Sequence, residues 1–215
     1  EPSRRRGVVA ASAGNHAQGV ALAAQKLSVK AKIVMPVTTP AIKVDAVRNY
    51  GASVILHGDT FDEAAHLAAE IVEAEGMTFL HPFDDPDVIA GQGTVAVELS
   101  RQAPAPLDYV FVCVGGGGLI SGIGTYIKYL RPGVKIIGVE AVGSAAMWAS
   151  LARGRRVKLK AEDLDLFADG TAVRQIGKKT FQLAKECVDE VVTVSVDEIC
   201  AAVKDVFEDT RSISE

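Results

Sequence analysis

Short apolar runs alternate with segments of helical period along the whole chain, and that alternation limits the fold more than any other feature. Runs at 8–12, 32–35, 53–56, 78–80, 109–114, 136–140 and 191–194 are too short for helices and rich in Val and Ile. Between them apolar residues recur at helical spacing over 15–27, 39–50, 60–75, 86–101, 119–130, 144–153, 178–188 and 196–209. The clearest case sets Phe61, Ala64, Ala65, Leu67, Ala68, Ile71 and Val72 along one stripe. Strands that are apolar throughout and alternate with helices predict a parallel sheet under a helical cover, an α/β fold. The segment His81-Pro82-Phe83-Asp84-Asp85-Pro86 interrupts the series with turn-forming residues. It predicts a smaller α/β domain over 7–85 and part of a larger one over 86–215. Residues 155–174 are irregular and charge-rich, which predicts a long connection of the kind that often carries function.

Composition excludes several classes. Of 215 residues, 48% are hydrophobic and 23% charged, enough apolar material for one large or two modest domains. The net charge is −4 and the longest basic block is Arg4-Arg5-Arg6, which reads as a solvated helix end, so nucleic acid is not expected as a partner. Cys113, Cys187 and Cys200 have no CxxC spacing, and Cys113, inside an apolar run, reads as core. Neither disulfides nor zinc are expected, which suits a reducing, cytoplasmic compartment. No apolar stretch reaches the ~18 residues of a membrane span, and no signal peptide is visible. The chain starts at Glu1-Pro2-Ser3 and stops at Ser212-Ile213-Ser214-Glu215, directly after a helical pattern, so the expectation is an internal piece of a longer protein.

Two loops between a strand and a helix carry the chemistry. Gly115, Gly116, Gly117 and Gly118 follow the run Tyr109-Val110-Phe111-Val112-Cys113-Val114 and precede Leu119-Ile120-Ser121. Without Cβ atoms the backbone turns tightly and several N–H groups can converge on one anion at a helix start. A nucleotide P-loop needs a following Gly-Lys-Ser/Thr, which is absent. A dinucleotide fold is a rival, because Glu140 ends the next run where a ribose-binding acid belongs. Its GxGxxG pattern fails in register, since the third glycine would fall on Ile120 or Ser121. Pyridoxal phosphate, with one phosphate on a small ring, needs a single tight cradle. Upstream, Ser12-Ala13-Gly14-Asn15-His16 links the first strand to its helix. Its N–H groups suit a carboxylate and the Asn15 amide can donate to a ring oxygen; equally, Asn15 can be an N-cap and His16 a surface residue. Asp169-Gly170 suggests a turn or a close backbone approach. His57, His66 and His81 form no pair with metal-binding spacing, so no metal is expected. Met147 and Trp148 read as packing residues.

The stretch Ala11-Ser12-Ala13-Gly14-Asn15-His16-Ala17-Gln18-Gly19-Val20-Ala21 resembles the signature of the serine/threonine dehydratases, pyridoxal-phosphate enzymes of fold type II. Ile33-Val34-Met35-Pro36, Lys43-Val44-Asp45-Ala46, Val88-Ile89-Ala90-Gly91-Gln92-Gly93-Thr94, Val114-Gly115-Gly116-Gly117-Gly118-Leu119, Phe167-Ala168-Asp169-Gly170 and Phe207-Glu208-Asp209 match in the same order. The resemblance implies a tryptophan-synthase-β-like fold of two parallel-sheet, three-layer α/β/α domains, both incomplete here. It implies that Gly115, Gly116, Gly117, Gly118 and Leu119 bind the cofactor phosphate, that Asn15 donates to the ring's phenolic oxygen, and that Gly170 lies beside the cofactor. Ser12, Gly14, Asn15 and His16 would receive the carboxylate of a small amino-acid substrate, threonine or serine. The family's members are usually dimers or tetramers. Relatives that racemise serine tend to carry a second serine where this chain has Ala13, and bind a divalent ion through the equivalent of Glu140 and an acid where this chain has Ala146. Elimination, without a metal, is therefore implied. The family's lysine, which bonds to the cofactor aldehyde, lies in a Ser-Phe-Lys-x-Arg-Gly-Ala motif that this chain lacks; Lys26, Lys30 and Lys43 are poor substitutes. No catalytic residue is thus assigned, and the expectation is that these residues alone are inactive.

Overall fold

The computed structural model of the protein describes residues 6–103 and 105–214. Glu1, Pro2, Ser3, Arg4 and Arg5, the last two from the basic triplet, lie outside the described residues, as does Glu215. The chain divides after Pro82 into two units, each with its own core.

In the first unit the apolar runs become β1 (Val8–Ala11), β2 (Ala31–Met35), β3 (Ser53–Leu56) and β4 (Thr78–Phe79). They pair in parallel in the order β3-β2-β1-β4. The connections are α1 (Asn15–Leu27), α2 (Ala41–Asn49) and α3 (Phe61–Glu75). Because side chains alternate across a strand, Ala10, Ile33 and Met35 pack with Ala17 and Val20 of α1 and Val44 and Val47 of α2. Val9, Ala11 and Val34 pack on the other face with Ala64, Ala68 and Ile71 of α3. Three layers result. Helix α2 begins at Ala41 rather than Thr39, since Pro40 holds an extended ψ of 140° and disfavours helix in the residue before it. A capping box of Thr60 and Glu63 starts α3, and Gly76, with φ of 63°, ends it.

The second unit contains α4 (Pro86–Gln92), α5 (Thr94–Gln102), β5 (Tyr109–Cys113), α6 (Gly118–Leu130), β6 (Lys135–Ala141), α7 (Ala146–Ala152), α8 (Lys178–Cys187), β7 (Glu190–Val194) and α9 (Val196–Thr210). Its strands pair in parallel in the order β5-β6-β7. The single helix expected over 86–101 is two helices that meet at Gly93. The backbone of α6 presses on that junction: a Cβ on Gly122 would stand 2.6 Å from the Gly93 nitrogen. Asp85 caps α4 by accepting from the N–H of Asp87 and of Val88, so it belongs to this unit and not to the first. The core gathers Val110, Val112, Val114 and Ile136 with Ile120, Ile123 and Ile127 of α6 and Phe181 and Ala184 of α8. The other pleat of β5 points away from that core, so Tyr109, Phe111 and Cys113 are exposed. The reading of Cys113 as core is thereby corrected. Asp189, just before β7, accepts from Lys128, Lys135 and the Ile136 N–H. Partial burial opposes its ionisation, but these donors hold the carboxyl down at about 2. Between 155 and 174 one 3-10 turn, Asp169–Thr171, interrupts irregular chain. No helix among the described residues is long and apolar enough to cross a membrane.

Candidate functional site

The glycine run forms the turn from β5 into α6. Val114 still donates to the Val139 carbonyl, as a strand residue does. Gly117 then takes a left-handed φ of 92°, open to glycine at no steric cost, and Gly118 begins the helix. Among the described residues no acceptor takes the backbone N–H of Gly115, Gly116, Gly117, Gly118, Leu119 or Ile120, although Gly116, Gly117, Gly118 and Ile120 are buried. Buried N–H groups are nearly always partnered. A row of unpartnered donors at the positive end of a helix fits a phosphate monoester, which brings several acceptor oxygens and negative charge. The residues present thus fit the phosphate of pyridoxal phosphate.

The cradle's backbone is itself held in place. The Gly116 carbonyl accepts from Thr180 Oγ1 at 2.8 Å and from the Gly177 N–H at 3.3 Å. The Gly117 carbonyl accepts from the Ser121 N–H, and Ser121 Oγ donates to the Thr180 carbonyl. The Phe83 ring fills the space that a side chain on Gly116 would need. Thr171 backs Gly115, where a Cβ would stand 3.1 Å from its Cα. Gly170 immediately precedes Thr171 in the 3-10 turn Asp169–Thr171 and is exposed. Helix α8 lacks a side-chain cap of its own at Gly177. Asp84 supplies one, its carboxylate accepting from the N–H of Lys178, Lys179 and Thr180. Phe83, Asp84 and Thr180 escaped the sequence reading. An uncapped Gly-Lys-Lys-Thr helix start was the one available sign that a remote anion must sit there.

In the first unit, Ser12 to His16 turn from β1 into α1. Ser12 Oγ accepts from the Gly14 N–H, and Gly14 rather than Asn15 is the N-cap residue. Asn15 is exposed at the first helical position. No described acceptor takes the N–H of Ala13, Asn15 or His16. The His16 ring is half-buried and its Nε2 donates to the Leu80 carbonyl at 3.0 Å, so it is not a free surface residue. Burial lowers its pKa; the bond to Leu80 works against the shift and nearby His81 adds to it. A neutral ring that donates through Nε2 keeps Nδ1 as an acceptor.

Glu140 is 1% exposed and its carboxylate accepts from the N–H of Met147 and of Trp148, at 2.9 and 2.7 Å. Both oxygens are committed to the start of α7, which removes the ribose-binding role that a dinucleotide fold would give it. Burial pushes its pKa up to about 7 against the pull of the Trp148, Met147 and Ala146 N–H groups. Met147 is buried, as expected, whereas Trp148 is 51% exposed.

A parallel α/β chain with an N–H cradle after one strand and an N–H loop after another defines a binder of a small phosphorylated cofactor. The family model of the pyridoxal-phosphate dependent enzymes matches residues 1–215, and the chain belongs to that family. The biosynthetic L-threonine dehydratase of Burkholderia multivorans is 55% identical over 213 residues, covering 98% of this chain and 42% of its own length. The chain thus spans about two fifths of that curated relative. The processed form of threonine deaminase isoform 2 from Solanum lycopersicum superposes with a TM-score of 0.95 at 52% identity, over all of this chain and 62% of that one. A second threonine deaminase, from T.th., gives 0.91 at 41% identity, over 97% of this chain and 68% of that one. The fold is therefore that of the fold-type II pyridoxal-phosphate enzymes.

Proposed function

We propose that the protein is a threonine dehydratase (threonine ammonia-lyase) that uses pyridoxal 5'-phosphate to convert L-threonine to 2-oxobutanoate and ammonia, as a step of isoleucine biosynthesis. The observation that carries this reading is the likeness to biosynthetic threonine dehydratases, which runs through both loops and nearly the whole chain. Gly115, Gly116, Gly117, Gly118 and Leu119 hold the phosphate through their N–H groups, and Gly170 lines the cofactor through its backbone. Asn15 donates its amide to the ring oxygen. The substrate carboxylate is met by Ser12, Gly14, Asn15 and His16. With its ring turned to Leu80, His16 offers its backbone N–H.

When bound, pyridoxal phosphate supplies the electron sink for loss of the α-proton and the β-hydroxyl. The chain's own contribution is to bind and orient. Ala13 carries a methyl group and cannot deliver a proton to the far face of the substrate, which favours elimination over racemisation. No lysine of the chain stands in a Ser-Phe-Lys-x-Arg-Gly-Ala setting, so these residues recognise cofactor and substrate without turning them over. This dehydratase works in the cytoplasm as a homo-oligomer, dimer or tetramer, with neither nucleic acid nor membrane as partner. The cofactor phosphate is bound by the second unit, and the Ser-Ala-Gly-Asn-His loop belongs to the first.

The test titrates pyridoxal phosphate into this chain and into a longer parent that includes the lysine motif. Both should bind, and only the parent should release ammonia, faster from threonine than from serine. Absence of binding by this chain would remove the reading. Full turnover by the chain alone would remove the assignment of the covalent step to other residues.

A further inference from the structure

We propose that Thr180, held by the Asp84 carboxylate, is a positioning residue for phosphate binding, fixing the peptide plane that aims the Gly117 N–H. This rests on the reading of Gly115 to Leu119 as the phosphate cradle. The peptide group is planar and trans, so the carbonyl of Gly116 and the N–H of Gly117 point in opposite directions. Whatever grips the carbonyl therefore aims the N–H. The grip comes from α8: Thr180 Oγ1 donates to Gly116 O at 2.8 Å and the Gly177 N–H adds a longer bond of 3.3 Å. Thr180 is fully buried, and its Cβ would stand 2.9 Å from a Cβ on Gly117. Left-handed glycine is otherwise free to rotate, and that freedom would have to be lost each time an anion binds.

Thr180 is in turn immobilised from two sides. Asp84 accepts from its N–H at 3.3 Å and from those of Lys178 and Lys179, which anchors the first turn of α8. Ser121, one turn into α6, donates its hydroxyl to the Thr180 carbonyl at 3.3 Å. The chain Asp84, Thr180, Gly116, Gly117 is therefore continuous, and a second hydrogen bond from Ser121 ties it to the helix that the cradle opens. None of these side chains needs to touch the phosphate.

The variants are Thr180→Val, which keeps the shape and removes the hydroxyl, and Thr180→Ser, which restores it. The readouts are the Kd of pyridoxal 5'-phosphate, the Kd of unphosphorylated pyridoxal by the same calorimetric titration, and the thermal melt. T180V is expected to weaken pyridoxal phosphate about tenfold, the worth of one hydrogen bond, and to leave pyridoxal unchanged. T180S is expected to bind within about threefold of the wild type. T180V that binds pyridoxal phosphate as the wild type does, or that loses both ligands equally, overturns the proposal. Should T180V fail to fold, Asp84→Asn loosens the same helix end with the hydroxyl in place; wild-type affinity in D84N overturns the proposal as well. Wild-type chain that binds no pyridoxal phosphate would sink the cradle reading itself, and this proposal with it.

Discussion

At the scale of single residues, the glycines of the cradle are not interchangeable. Gly117 combines a left-handed φ with a crowded back: a Cβ there would lie 2.8 Å from Met147 Cε and 2.9 Å from Thr180 Cβ. Gly117→Ala is expected to cost at least about 1–2 kcal/mol for the backbone alone. It should lower the urea midpoint and abolish pyridoxal phosphate binding, measured by denaturation and by titration. Glu140 makes stability depend on pH. Its folded pKa is raised from 4.5 to about 7, so below about 4.5 both states hold the proton and its stabilising contribution is complete. Between these values the unfolded chain gives up the proton first and stability falls, by a total of about 3 kcal/mol once pH has passed 7. The difference in urea midpoint between wild type and Glu140→Gln, followed from pH 4 to 8, should show this slope. A flat difference would contradict it. The sequence marked Glu140 as an acid of interest for its place at a strand end, and only the structure showed that its partners are N–H groups of its own chain.

At the scale of elements, two helices share one start signal and differ in what they bury. Thr60 with Glu63 and Ser195 with Glu198 both form capping boxes. Helix α3 buries Ala64, Ala68 and Ile71, whereas α9 has no buried residue. Thr60→Ala is therefore expected to lower global stability by about 1 kcal/mol. Ser195→Ala should leave the global midpoint unchanged and speed amide exchange over 196–210. Element type and order were legible because the periods of strand and helix differ. Boundaries followed where a cap marks them, as at Ser195, whereas the start expected at Thr39 ran past Pro40, which delays the helix to Ala41. The break at Gly93 was not legible, because its cause is the approach of Gly122, distant in sequence.

At the scale of the whole molecule, each unit has its own core, and the cover of the two sheets differs. The first sheet is packed on both faces. The pleat of β5 that carries Phe111 faces away from the second core, with Phe111 66% exposed. Phe111→Ser is expected to reduce binding of an apolar dye without changing the melting temperature, because an exposed ring contributes recognition surface rather than core. A lowered melting temperature would show that Phe111 is packed after all. The sequence by itself determined the α/β class, the order of elements, the two loops and, through a long ordered resemblance, the cofactor, since periodicity and glycine placement are local properties of the chain. The tertiary structure alone decided which side of a strand is covered, that Asp84 caps a helix 94 residues away, and that Thr180 grips Gly116. These depend on contacts between residues far apart in the chain, and no local pattern records which buried hydroxyl or carboxylate meets which backbone group.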